Sequence, residues 1–175
     1  LIRQLGERDF DITAMDGLER GQFEGHAFQF VHRRLLKDPL AGRLPVIPVI
    51  LNTFDPPNQP TPRRCVALGL ALRELLAEWP EDLRVGVIAS GGLSHFVVDE
   101  DLDLHVLAAL RARDSAALAS LDPKLLQAGS SEIRNWIVVG EMARELDLDW
   151  VDYIPAYRSP ALTGTGLAFA AWKTT

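Results

Sequence analysis

Residues 85–89 (Val-Gly-Val-Ile-Ala) form a short apolar run that breaks at Gly91-Gly92 and is followed at once by Ser94 and His95. A run that is apolar at consecutive positions suits a strand covered on both faces, and so a sheet flanked by helices, better than a strand with one wet face. The glycine pair permits backbone angles and close approaches that a β-carbon would forbid, so the chain can turn sharply beyond the strand. In open α/β sheets ligands gather at the carboxyl ends of strands, which is where His95 is expected. The competing reading is a tight strand-to-helix turn whose histidine makes only a local hydrogen bond.

Residues 44–52 (Leu-Pro-Val-Ile-Pro-Val-Ile-Leu-Asn) repeat the consecutive apolar pattern and predict a second strand, paired on one side or bulged at Pro48, which has no N–H to donate. A proline-rich loop follows, and Thr61-Pro62 then places an N-cap threonine before a proline at the first helical position. The helix predicted over 63–79 ends at Pro80, with Val66, Leu70 and residues 72–76 laid on the sheet. Strand, helix and strand together predict a β-α-β crossover. The expected fold class is α/β, with a mixed, largely parallel central sheet flanked by helices.

Further along, a helix is predicted over 102–112, a short one over 124–128 after Asp122-Pro123, and another from Ser130, with Ile133, Trp136, Ile137 and Met142 inward and Glu132 in its first turn. Residues 150–157 read as a strand, and 159–172 as a glycine-spaced loop with an apolar end. Near the amino terminus, residues 11–21 suggest a strand then a loop, and residues 25–36 a loop running into a short helix.

A chain of 175 residues fits one domain, and the expectation is a single α/β domain over 1–175. The net charge of −6 argues against a nucleic acid held through phosphates. One cysteine, Cys65, leaves no internal disulfide and suits a reducing, cytoplasmic setting. No stretch is long and apolar enough to span a bilayer.

Several residues invite chemistry. His26 and His32 are six positions apart, which is not the i, i+4 spacing of two ligands on one helix face. His105 falls mid-helix and reads as surface. The acidic run Asp99-Glu100-Asp101-Leu102-Asp103 suits a solvated helix start, where acids complement the helix dipole, and Glu132 admits the same reading. Neither Ser90 nor Ser94 lies in the G-x-S-x-G frame of a hydrolase elbow. Gly164-Thr165-Gly166 lacks the third glycine of a dinucleotide fingerprint.

Taken together and in order, Ala89-Ser90-Gly91-Gly92-Leu93-Ser94-His95, Ser130-Ser131-Glu132-Ile133-Arg134-Asn135-Trp136, the residues 45–52 strand with its proline-rich loop, Arg63-Arg64-Cys65-Val66-Ala67-Leu68-Gly69 and Thr163-Gly164-Thr165-Gly166 resemble the class III extradiol ring-cleaving dioxygenases. The resemblance runs from about Phe23 onward. It implies a non-haem Fe(II) enzyme that opens a catechol ring with O₂, the iron being held by two histidines and one carboxylate. Glu132 matches the carboxylate ligand and His95 the acid–base histidine. His26, in Glu24-Gly25-His26, is similar to a histidine near the oxygen site, although Gly25 and Ala27 depart from that motif. The two iron-binding histidines of the family have no counterpart here, so the chain resembles the C-terminal two-thirds of such an enzyme, and its Fe(II) is expected to be absent from these residues alone. The expected partners are a catechol-type aromatic and O₂, with a homo-oligomer or a hetero-oligomer with a small subunit. An inactive relative serving as a binding or regulatory subunit, and a metal-independent hydrolase using Ser94 or His95, are the rival readings.

Overall fold

The computed structural model describes residues 1–15, 17, 25–36 and 44–174, and divides into two compact units, Leu1–Ile50 and Leu51–Thr175. In the first unit, α1 (Ile2–Gly6) closes on itself, with the Phe10 N–H donating to Leu5 O at 3.0 Å and both side chains buried. Helix α2 (His26–Phe30) follows Gly25 and widens into a π-helical turn over Val31–Leu35, so the predicted short helix is present and begins at once, without the loop. Residues 11–15 form no strand, and the remainder of the loop expected to 21, apart from residue 17, lies outside the described residues together with Glu24.

The second unit is organised by helix packing. Helix α3 (Pro62–Ala77) starts as its sequence dictates: Thr61 Oγ1 accepts the Arg64 N–H at 3.2 Å, and Pro62 occupies the first turn, where no N–H is missed. Its buried stripe of Cys65, Leu68, Ala71, Leu72 and Leu75 faces α6 (Ile133–Met142), not a sheet. Gly69 permits the close approach, because a β-carbon there would stand 2.5 Å from Val138 O and 2.7 Å from Glu141 Cβ. Helix α4 (Glu100–Ala112) is capped by Asp99, whose Oδ1 accepts the Leu102 N–H at 3.0 Å, and stops at Arg113 in the left-handed conformation. A short α5 (Ser115–Ala119), unmarked in the hydrophobic pattern, packs against α3 and α4.

The sheet differs from expectation. Among the described residues it has three antiparallel strands in the order β1 (His95–Val97), β3 (Thr163–Lys173), β2 (Asp147–Tyr157). The strand predicted at 150–157 is the end of β2, whereas the glycine-spaced segment taken for a loop is itself β3. The runs at 44–52 and 85–89, expected to form a parallel crossover around α3, enter no ladder among the described residues, and Ile47, Ile50, Val85 and Ile88 are exposed. Apolar patterning specifies what a segment can do in a sheet; a ladder also needs a neighbouring edge, which these segments lack among the described residues. The helix expected at 124–128 is a turn, in which Asp122 Oδ1 takes the Lys124 N–H at 2.9 Å. No helix among the described residues is long and apolar enough to cross a membrane.

Candidate active site

The two motifs quoted from the sequence meet at the start of α6. Three side chains there bind the backbone of the glycine turn: Glu132 Oε2 accepts the Gly92 N–H at 2.8 Å, Asn135 Nδ2 donates to Ser90 O at 3.0 Å, and Trp136 Nε1 donates to Gly91 O at 3.0 Å. Glu132 is the last residue of a 3₁₀ turn (Ala128–Glu132) and the N-cap of α6, one position earlier than its expected place in the first helical turn. Gly91, at φ +139°, occupies a conformation that side chains rarely adopt, and a β-carbon there would lie 2.7 Å from Glu132 Oε2. The glycine turn thus exists to bring backbone against a carboxylate.

His95 opens β1 beside this carboxylate. Its backbone N–H donates to Ser130 Oγ at 3.0 Å, and its Nδ1 lies 2.9 Å from Leu93 O. A carbonyl oxygen can only accept, so Nδ1 carries a proton and Nε2 is the nitrogen left to exchange one. Nε2 stands 3.6 Å from Glu132 Oε2. The side chain is held between two glycines, where β-carbons at Gly92 and Gly129 would come within 2.8 Å of His95 Cε1 and 2.4 Å of His95 Cβ.

Of the other candidates, His26 is the first residue of α2 and belongs to the first unit, His32 lies in the π-helical turn there, and His105 is exposed on α4. Among the described residues no three His, Cys, Asp or Glu side chains converge. Glu132 therefore offers one carboxylate, and these residues do not by themselves complete a two-histidine, one-carboxylate centre. Ser94 makes no nucleophile–base pair with His95. Its hydroxyl is fully buried and donates to Asp103. Burial pushes the Cys65 thiol up to about 12, despite the opposing influence of Arg134, so it is no thiolate nucleophile.

Three buried ionisable residues, Arg134, Asp103 and Glu141, escaped the sequence reading. Arg134 is held by carbonyls alone, with Nε donating to Pro60 O at 2.7 Å and Nη1 to Leu126 O at 2.7 Å, and so ties the proline-rich loop to the base of α6. Asp103, expected on a solvated helix start, is completely buried. Its Oδ1 accepts the Ser94 N–H at 2.8 Å, and its Oδ2 accepts Ser94 Oγ at 2.7 Å and the Tyr153 hydroxyl at 2.9 Å. Helical register would have flagged it: Asp103 shares a face with the buried Val106, Leu107 and Leu110, three, four and seven positions on.

Burial raises the Asp103 carboxyl above its ordinary 3.8, the nearby Asp99 adds to the rise, and the Ser94 and Tyr153 hydrogen bonds oppose it. The folded chain thus keeps this proton where the unfolded chain has released it. Stability from the group is complete below pH 3.8 and declines as pH rises through the folded-state value. Urea unfolding of the wild type and Asp103→Asn across this range is expected to show the wild type losing stability relative to the variant with rising pH. A relative gain would reverse the assignment.

Residues 29–159 match the family described as the catalytic LigB subunit of aromatic ring-opening dioxygenase, and the chain belongs to that family. It is 44% identical over 55 residues to gallate dioxygenase of Pseudomonas putida, a match covering 31% of this chain and 16% of that protein. It is also 53% identical over 51 residues to the 2,3-dihydroxyphenylpropionate/2,3-dihydroxicinnamic acid 1,2-dioxygenase of Mycobacterium ulcerans, covering 29% of this chain and 15% of that protein. The matched segments span about one sixth of the length of these curated relatives.

Proposed function

We propose that this chain is the portion of a non-haem Fe(II)-dependent extradiol dioxygenase that carries the acid–base histidine and the carboxylate ligand, and that the enzyme opens a catechol-type ring with O₂. The observation that carries this reading is the juxtaposition of His95 Nε2 and Glu132 Oε2 at 3.6 Å on a turn built from Gly91 and Gly92. Support also comes from membership of a ring-opening family and from similarity to proteins named as gallate and 2,3-dihydroxyphenylpropionate dioxygenases.

The protein's own residues have definable tasks. With Nδ1–H committed to Leu93 O, Nε2 is the site that can take a proton from a phenolic hydroxyl and later return it. Glu132, its carboxylate oriented by the Gly92 N–H, takes the role of a ligand on this reading. The two histidine ligands are not among the residues assigned here, and His26 keeps the oxygen-related role that the resemblance implies. A cytoplasmic setting and an oligomeric assembly, with itself or with a small subunit, complete the proposal.

Two measurements test it. Anaerobic titration of the 175-residue chain with Fe(II) is expected to give clearly less than one tightly held iron per chain, since a single carboxylate is a poor site. Stoichiometric iron would overturn the assignment of ligands. Once the iron site is complete, ¹⁸O₂ supplied with a catechol is expected to place both oxygen atoms in a ring-opened product; intact catechol after prolonged incubation would favour the inactive relative.

A further inference from the structure

We propose that Asp103 is the positioning residue for His95: by holding the N–H and the hydroxyl of Ser94, it fixes the imidazole in the Nδ1–H tautomer with Nε2 turned to Glu132. This rests on the proton-carrying role given to His95 above. Ser94, directly before the histidine, has no free polar atom. Its N–H and hydroxyl both donate to Asp103, at 2.8 and 2.7 Å, its hydroxyl oxygen accepts the Asp99 N–H at 2.9 Å, and its carbonyl accepts the Gly166 N–H at 2.8 Å. Leu93, on the other side of Ser94, donates its N–H to Gly166 O at 2.9 Å. Its carbonyl is the acceptor that selects the tautomer of His95. Asp103 therefore governs the orientation of the peptide to which the ring is tethered.

The seat of Asp103 is built for it. A β-carbon at Gly166 would lie 1.8 Å from Asp103 Oδ2 and 2.9 Å from Ser94 Oγ, so β3 leaves room for the carboxylate only by presenting glycine. Tyr153 reaches across from β2 to Oδ2; burial and the Asp103 contact both raise its pKa, so it remains a donor. The carboxylate is thus buried among neutral donors, with no cation among its hydrogen-bond partners. Burying a carboxylate in this way is costly compared with an apolar side chain of similar volume. What the arrangement provides instead is direction: two rigid acceptor oxygens that define where Ser94, and hence the start of β1, must lie.

The sequence contains four histidines, so ¹⁵N-histidine labelling resolves the question in the 175-residue chain. Long-range ¹H–¹⁵N spectra taken well above the imidazole range are expected to show His95 as the Nδ1–H tautomer in the wild type. Asp103→Ala should move it to the Nε2–H form favoured by an unconstrained imidazole. In the iron-loaded enzyme the same variant should lower kcat by about 10- to 100-fold, as loss of an orienting partner does, with KM within about twofold. Asp103→Asn keeps an oxygen for the Ser94 N–H and should restore both the tautomer and most of kcat. Should Asp103→Ala fail to fold, judged by circular dichroism, Ser94→Ala removes the hydroxyl's bonds to Asp103 and Asp99, keeps the backbone one, and is expected to shift the tautomer in the same direction. Retention of the Nδ1–H form with wild-type kcat in a folded variant overturns the proposal. A wild type that shifts tautomer as expected on mutation but never cleaves a catechol sinks the dioxygenase reading and leaves the positioning role standing.

Discussion

On the proposed dioxygenase reading, replacing His95 with alanine in the iron-loaded enzyme is expected to lower turnover by about 10²- to 10⁴-fold, the range typical of losing a positioned acid–base group. Substrate binding should survive, because the imidazole is assigned a proton and not a share of the affinity. The geometry makes the expectation specific. Nδ1 is committed to Leu93 O, so only Nε2 is available for exchange, and it already faces the carboxylate at 3.6 Å. His95→Gln is the sharper test, since its amide can keep a hydrogen bond but cannot carry a proton at neutral pH. Near-wild-type steady-state rates in either variant, with KM unchanged, would remove His95 from the chemistry.

The second large effect is on stability. Gly166→Ala is expected to cost about 3 kcal/mol or more, the upper end of overpacking penalties, because the new methyl would stand 1.8 Å from Asp103 Oδ2. Neither neighbour can yield easily: Asp103 is held by three hydrogen bonds, and β3 is paired on both sides, to β1 and to β2. Gly86→Ala provides the control. Nothing lies within 4 Å of a β-carbon there, so its effect should stay within about 0.5 kcal/mol. Chemical denaturation of the two variants beside the wild type checks both values, and equal midpoints for all three would contradict the packing described for Asp103.

The residues at the centre of the site were legible before the fold was. Ala89–His95 and Ser130–Trp136 stood out as motifs, and the structure brings them into contact through Glu132, Asn135 and Trp136. Helix α3 was readable because its start signal is local: a threonine cap and a first-turn proline need no tertiary partner. The parallel sheet was misread for the opposite reason. Consecutive apolar residues at 44–52 and 85–89 describe a capacity for pairing, and pairing depends on an edge that the segment's own sequence does not encode. Asp103 was missed because an acidic run resembles a solvated helix start; only its register with Val106, Leu107 and Leu110 gave its burial away. Gly164-Thr165-Gly166, which lacks the third glycine of a dinucleotide fingerprint, instead makes room at Gly166 for a carboxylate.

The pairing of β2 with β3 has a bearing on which changes the chain can accept. Pro155 lies opposite Gly166, Tyr153 opposite Ala168, and His95 opposite Thr165. The connection over residues 158–162 can lengthen or shorten without disturbing those pairs. A one-residue deletion within β3 cannot be absorbed in that way, because alternate side chains on a strand face opposite sides. It would bring a bulkier neighbour to the place of Gly166, expel the carboxylate beneath it, and swing the histidine strand out of line in a single step. Length variation among related chains is therefore expected to collect in the hairpin tip and to stop at Thr163.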